Sequence, residues 1–216
     1  LPLDHFELAM NGHVLRVALP GGQAVARAAF DAALVEAART AGAAFLPRVQ
    51  AEVQPLSESS SSQRRVVKLS QPEQADVWLS TGAVVAADGL GHPSLAACPE
   101  FASQVAWRSR LGLGATIFTD ENQFPPGTIF MAVGRAGYVG AVRLGDGRLN
   151  LAAAVDQAAL RMAGRPAKVV ADLLVEAGRP VPRDLDQADW HGTAPLTRRV
   201  PCVAKRPGFL VGGAAG

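Results

Sequence analysis

The chain has 216 residues, of which 49% are hydrophobic, and 21 Lys and Arg face 19 Asp and Glu for a net charge of +2. That is ample apolar material for one large core or two small ones, and it leaves no basic field to attract nucleic acid or an anionic membrane, so a small-molecule substrate is expected. No apolar run reaches the roughly 18 residues of a membrane span, and the N-terminus lacks the pattern of a signal peptide, so the expected location is cytoplasmic.

Val14 to Leu19 alternates and runs into Pro20-Gly21-Gly22, which reads as a strand and a turn. From Ala24 to Ala41, Phe30, Leu34 and a series of alanines recur at three- and four-residue steps, which predicts a helix with one narrow buried stripe, ended at Gly42 in the left-handed conformation. Phe45 to Leu56 and Arg65 to Leu69 read as strands of a hairpin whose tip, Ser57 to Gln63, is polar and mobile. Val77 to Leu79 and Ala83 to Ala87 continue the β pattern. The second of these runs is uniformly apolar, as in a strand covered on both faces, and it ends at Asp88-Gly89.

Leu111 to Phe118, Gly127 to Gly134, Tyr138 to Leu144 and Arg148 to Val155 predict an antiparallel sheet with helices on one face, with Gly145-Asp146-Gly147 as one of its turns. A helical region over Gln157 to Ala177 is broken at Gly164-Arg165-Pro166; Pro166 suits the first turn of a second helix that buries Val169, Val170, Leu173 and Leu174. Leu185 to Arg206 reads as irregular, and Phe209-Leu210-Val211 as a last strand before a run of small residues.

Three segments bear on function. Arg27-Ala28-Ala29-Phe30-Asp31-Ala32-Ala33-Leu34 is, by itself, an amphipathic helix with an exposed arginine. Val84-Val85-Ala86-Ala87-Asp88-Gly89-Leu90-Gly91 is a strand ending in a carboxylate, which can accept hydrogen bonds from hydroxyls, and a glycine, which lets a ligand approach the backbone; an ordinary strand-to-turn junction reads the same way. Gly208 to Gly216 takes a strand into small residues whose unpaired N–H groups would suit a diphosphate.

In this order the three segments resemble the FAD-dependent oxidoreductases and monooxygenases of the p-hydroxybenzoate-hydroxylase fold and their geranylgeranyl-reductase-like relatives. In that family a helix with R-x-x-L/F-D-x-x-L precedes a β-meander, a strand ending in A-D-G, a substrate sheet, and a strand leading into G-D-A-A-G. The matching positions are Arg27, Phe30, Asp31 and Leu34, then Ala87, Asp88 and Gly89, then Gly212 to Gly216. The strands around Gly137-Tyr138-Val139-Gly140 and Asp146 to Asn150, and the Pro195-Leu196-Thr197-Arg198-Arg199 segment, add to the likeness. The family's G-x-G-x-x-G loop would lie before Leu1, Gly213 stands in place of its ribityl-binding aspartate, and His92 and Leu95 replace its serine and arginine after A-D-G.

The resemblance implies a mixed α/β fold, with a partial FAD-binding lobe carrying a β-meander and an antiparallel-sheet substrate domain. The lobes would be a strand and turn of the substrate lobe at 1–22, the partial FAD-binding lobe at 23–95, the substrate sheet at 96–195, and a return to the FAD-binding lobe at 196–216. It implies bound FAD contacted by Arg27, Asp88, Gly89, Gly212, Gly213 and Ala214, with NADPH or NADH as reductant. The activity would be monooxygenation of an apolar or aromatic small molecule, with prenyl-type reduction as the alternative. It assigns no catalytic residue, and by itself this chain would neither turn over nor retain FAD. A cofactor-free module that binds a ligand or partner is the reading from another class.

Cys98 and Cys202 have no His or Cys at metal-ligand spacing, so inert buried thiols are expected, without metal or disulfide. His5, His13, His92 and His191 share no ligand spacing. Only His92, following Asp88-Gly89, falls near the implied cofactor. Trp78, Trp107 and Trp190 read as packing residues.

Overall fold

A computed structural model describes residues 1–56, 64–120, 122–205 and 207–212. The chain runs through β1 (His5–Met10), β2 (His13–Ala18), α1 (Arg27–Thr40), β3 (Gln50–Val53), β4 (Arg65–Ser70), β5 (Val77–Thr81) and β6 (Val84–Ala86). After two 3-10 turns, at Pro93–Leu95 and Pro99–Phe101, come β7 (Gln104–Val105), β8 (Leu111–Ile117), β9 (Thr128–Gly134), β10 (Gly137–Arg143) and β11 (Leu149–Val155). Then follow α2 (Gln157–Ala163), α3 (Pro166–Glu176), β12 (His191–Pro195), β13 (Arg198–Arg199), β14 (Ala204–Lys205) and β15 (Gly208–Leu210). The fold is mixed α/β. Two compact units form, one from Leu1–Ala43 and Arg110–Leu196, the other from Ala44–Ser109 and Thr197–Gly216. The helix α1, expected with the cofactor lobe, thus clusters with the first unit.

The first unit is built on a seven-stranded sheet in the order β12-β8-β11-β10-β9-β1-β2. Strands β8 to β11 pair antiparallel as the alternating runs predict. Leu113, Ala115 and Ile117 of β8 and Leu149, Leu151, Ala153 and Val155 of β11 point to one buried face, and Val169, Val170, Leu173 and Leu174 of α3, which lies against β9 and β10, belong to the same core. Each of the Val, Leu and Ile side chains contributes about 1.5–3 kcal/mol by leaving water, which makes this face the main core of the unit. Gly164, at φ +74°, ends α2, and Pro166 opens α3.

Three features correct the sequence reading of this unit. Strand β1, not anticipated, pairs parallel with β9, His5 opposite Thr128 and Met10 opposite Val133, so the sheet is mixed rather than purely antiparallel. The signal for it was Asn11-Gly12, both at positive φ (+51° and +77°), the two-residue turn that closes the β1–β2 hairpin. His191–Pro195, expected to be irregular, adds the edge strand β12 with a register shift between Gly192 and Pro195. The stripe of α1 is not buried: none of its residues is, and Phe30 and Leu34 are each 52% exposed. The helical period of the stripe fixed the conformation, but burial needs a facing surface, and the described residues supply none.

Arg143, on β10, is 2% exposed and has no carboxylate partner among the described residues. Its guanidinium instead donates to four backbone carbonyls: Phe124 at 2.9 Å, Thr119 at 3.3 Å, Gly147 at 2.6 Å and Asp120 at 3.0 Å. It thereby ties the β8–β9 connection to the β10–β11 turn.

In the second unit β3, β4 and β5 form an antiparallel meander, and β14, β15 and β6 a small sheet in which β6 and β15 run parallel. The strand expected over Phe45 to Leu56 is only β3, with Phe45 and Leu46 exposed. Ser57 to Gln63 lie outside the described residues. The apolar run of β6 is covered on one face only, Ala86 being 4% and Val85 61% exposed. Trp78 and Trp107 are exposed as well, whereas Trp190 of the first unit packs on its core.

The core of the second unit holds Val53, Val67, Ala86, Leu95, Cys98, Phe101 and Leu210. Within it Arg65 is fully buried, 2.6 Å from Glu100 and 5.8 Å from the Phe101 ring centroid. Burial pushes the Glu100 carboxyl up, but the hydrogen bond from Arg65, a backbone bond and the charges of Arg65 and Lys205 outweigh it and hold it below the usual carboxylate range. Burial pushes the thiol of Cys98 up, against the opposing charge of Arg65, as befits an inert thiol. Cys202 is also free, though only half-buried.

Candidate functional site

Open α/β sheets bind ligands beyond the carboxyl ends of their strands, where the chain leaves each strand in a loop. The pair β6 and β15 makes such an end. Ala86 is in register with Leu210, and the Ala86 carbonyl accepts the Val211 N–H at 3.0 Å, so Asp88-Gly89 and Gly212 leave adjacent strands side by side. The two motifs that lie farthest apart in the second unit's sequence therefore meet at one edge.

The loop after β6 is shaped by its own hydrogen bonds. One carboxylate oxygen of Asp88 accepts the Ser94 N–H at 2.8 Å, and the Gly89 carbonyl accepts the His92 N–H at 3.2 Å. Gly89 and Gly91 take φ +80° and +87°, which a side chain would strain, and Gly212 takes +58°. A Cβ at Gly91 would come within 3.3 Å of the Arg198 guanidinium, whereas no described residue lies within 4 Å of one at Gly89 or Gly212. Packing therefore does not explain the glycines at these two positions; they leave open space over bare backbone. His92, which the sequence left as a residue near the cofactor, is 4% exposed, at φ +31°, with its Nδ1 buried and without a partner among the described residues.

Of the other expected contacts, Gly213 and Ala214 lie outside the described residues. Arg27 opens α1 in the first unit, 86% exposed, its Nε donating to both Asp31 oxygens at 2.7 and 2.8 Å. No group of three or more His, Cys, Asp or Glu is placed to hold a metal among the described residues. No helix of these residues is long and apolar enough to cross a membrane.

The first unit has an open feature of its own on the sheet face away from α3. One register row crosses all seven strands as Leu15, Leu8, Met131, Gly140, Ala152, Gly114 and His191. The small residues in this row lower the surface between an apolar end and a polar one. At the polar end Gly114, Ala115, Thr116, Asn150, Asp189 and His191 line a cavity of about 300 Å³. Thr116 donates to Asn150 at 3.4 Å, and the His191 ring lies 3.2 Å from the Asp189 carbonyl. Composition and periodicity did not single out these polar residues, because the region of β12 reads as loop.

No family model matches the chain, and no curated protein matches it significantly. Solved structures do. The myxobacterial chondrochloren halogenase, an FAD-dependent halogenase, superposes at a TM-score of 0.73 with 16% identity over 99% of this chain and 53% of its own. Aklavinone-11 hydroxylase, solved with FAD and aklavinone, gives 0.65 with 16% identity over 99% and 44%. The p-nitrophenol 4-monooxygenase of Pseudomonas putida gives 0.66 with 16% identity over 100% and 56%. The chain spans about half the length of these proteins, and over that length it has the fold that they share.

Proposed function

We propose that the chain is part of an FAD-dependent oxidoreductase, with the second unit bearing on the cofactor and the open sheet face of the first unit bearing on the substrate. The observation that carries this reading is the convergence of Asp88-Gly89 and Gly212 at the ends of the parallel pair β6 and β15. Asp88 offers a carboxylate to hydroxyls, and Gly89 and Gly212 offer backbone with open space above it, which fits a cofactor with a hydroxylated chain and a diphosphate. The resemblance assigns Gly213, Ala214 and Arg27 to the cofactor as well. FAD would supply the electron transfer, with NADPH or NADH as reductant, while the protein orients the reactants and excludes water.

The row of small residues on the open face suits a flat apolar or aromatic substrate, and monooxygenation is the leading reaction. Prenyl-type reduction is the alternative within the same class.

The test is a titration of the isotope-labelled chain with FAD to millimolar concentration, followed by amide proton–nitrogen correlation spectra. Shifts should saturate and concentrate at 87–92 and 210–212. Saturation confined to other regions, or none, refutes the assignment of the crevice. An Asp88→Ala variant should weaken binding severalfold.

A further inference from the structure

Strand β2 closes one end of the seven-stranded sheet, with β1 on one side and, among the described residues, no strand on the other. Edge strands are usually shortened, bulged, charged or covered, because their free N–H and C=O groups pair readily with another strand. Of these devices β2 carries only a charge, at Arg16. It runs for six residues in unbroken register with β1, and all six are exposed, Val14 at 53%, Leu15 at 58% and Val17 at 45%.

The hydrogen-bond phase of β2 is fixed at both ends. Asn11-Gly12 is a two-residue turn, so the flanking Met10 and His13 form a hydrogen-bonded pair. At the far end the Leu19 N–H donates to the Asp4 carbonyl at 2.7 Å, in the same phase. His13, Leu15 and Val17 therefore turn their backbone groups to β1, and Val14, Arg16 and Ala18 turn theirs outward. Leu15, which shares a row with Leu8 and Met131, lies on the open face, whereas Arg16, opposite Glu7 in the row of the buried Phe130, lies on the core face.

These constraints leave one register for a second copy. A twofold axis normal to the sheet sets two β2 strands antiparallel and keeps each face continuous, so opposed residues must share a face and the axis must pass through a residue. Centred on Leu15 the pair opposes residues 13–17, and centred on Arg16 it opposes residues 14–18; any other centre opposes fewer residues of the strand. Centring on Arg16 sets the guanidinium against its own copy, which is destabilising. Centring on Leu15 instead sets Leu15 against Leu15, Val14 against Arg16 and Val17 against His13. It also brings the outward backbone groups of Val14 and Arg16 into hydrogen-bonded pairs. The arginine that guards the edge against one register thus selects the other.

We infer that β2 is a self-association edge, on which a second copy of this chain adds its own β2 antiparallel about Leu15, so that the two sheets run on as one. The open-face row then passes from Leu8 and Leu15 of one copy into Leu15 and Leu8 of the other. No cofactor enters the contact. Two short strands bury less than the about 1,200 Å² at which standard interfaces begin, so the pair is weak and reversible.

The test is a disulfide trap beside a measurement of free association. Cys98 and Cys202, both in the second unit, are first replaced by Ala and Ser. Under mild oxidation Leu15→Cys should then yield a covalent dimer, since a non-hydrogen-bonded antiparallel pair sets its Cα atoms about 4.5 Å apart, within reach of a disulfide. Val17→Cys alone should trap about fivefold less, and mixing it with the His13→Cys chain should restore trapping, because those two positions face each other. Equal trapping at Leu15, Val14 and Val17 would report random collision and overturn the inference. Sedimentation velocity of the parent chain should show dimer rising with concentration. Arg16→Pro removes an outward N–H that β1 does not use, and Leu15→Lys sets like charges on the axis; each should abolish the dimer while keeping the parent's circular dichroism. Leu15→Lys carries the test if Arg16→Pro does not fold. A parent chain that stays monomeric to millimolar concentration and traps no dimer at Leu15 overturns the inference. So does association that survives Leu15→Lys unchanged, which would place the contact on another apolar surface such as Phe30 and Leu34 of α1.

Discussion

Replacing Arg143 by Met should destabilise the first unit by roughly 3 kcal/mol, within about 2–5 kcal/mol for breaking a buried polar network. The guanidinium makes four hydrogen bonds, all to backbone carbonyls. Hydrogen bonds from a charged donor are worth about 1.5–3 kcal/mol each, but they do not simply add, because water can replace those that reach the surface. Asp120 is exposed and Thr119 and Gly147 are partly so, and their carbonyls can rehydrate; Phe124 is fully buried, and its carbonyl would stay dry. Removing the buried cation also returns its desolvation cost, which keeps the net below the sum of four bonds. The assay is urea unfolding followed by Trp190 fluorescence, with the exposed Trp78 and Trp107 replaced by Phe so that the signal reports the first unit. Arg143→Lys should lose nearly as much, since one ammonium cannot span four carbonyls. A loss under about 1 kcal/mol for Arg143→Met, or parental stability for Arg143→Lys, would refute the view that this fork holds the two loops together.

For Glu100, whose folded-state carboxyl is held below the usual range, the sign is that of a depressed acid: its contribution is present above the unfolded value and lost as pH falls through the lower folded one. Stability of the second unit measured against pH should show that acid limb, and Glu100→Gln should flatten it. Gly137 lies at φ +143°, and a Cβ there would meet the Ala154 carbonyl oxygen at 2.1 Å, so Gly137→Ala should cost more than about 1 kcal/mol in the same urea assay, because backbone must move. Leu173→Ala, in the core beneath the sheet, should cost about 2–5 kcal/mol there. Phe30→Ser, on the exposed face of α1, should change stability by less than about 0.5 kcal/mol while lowering self-association in light scattering.

The parts of the fold written locally were legible. The runs between Leu111 and Val155 alternate because one sheet face is buried and the other open, and Pro166 marks where α3 begins. What escaped depends on distant partners. Nothing local to His5–Met10 announces a parallel neighbour at Thr128–Gly134, and β12 to β14 are too short and too rich in Gly, Pro and Arg to show a period. The exposure of Phe30 and Leu34 was equally hidden, since periodicity reports which side of a helix is apolar and not whether anything covers it.

At the site, the strand-end motifs Ala87-Asp88-Gly89 and Leu210-Val211-Gly212 could be read from residue types alone, and the pairing of their strands is parallel. The orphaned ring of His92 and the buried Arg65–Glu100 pair could not, because burial of a single polar group leaves no trace in the sequence around it.

The parallel pairing of β1 with β9 also sets the order in which this chain can be completed. The β1–β2 hairpin can close as soon as residue 18 is made, since its turn and partners are local. It cannot join the sheet until residues 128–134 exist, and all of 44–109, the larger part of the second unit, is made in between. During synthesis the hairpin must therefore wait with Leu8 and Ala9 unpaired on one edge and Val14, Leu15 and Val17 bare on its other strand. Closing so long a loop is slow compared with forming a hairpin. Within the first unit, folding thus includes a late recruitment, and a nascent chain stalled before β9 would carry this hairpin as a sticky ribbon.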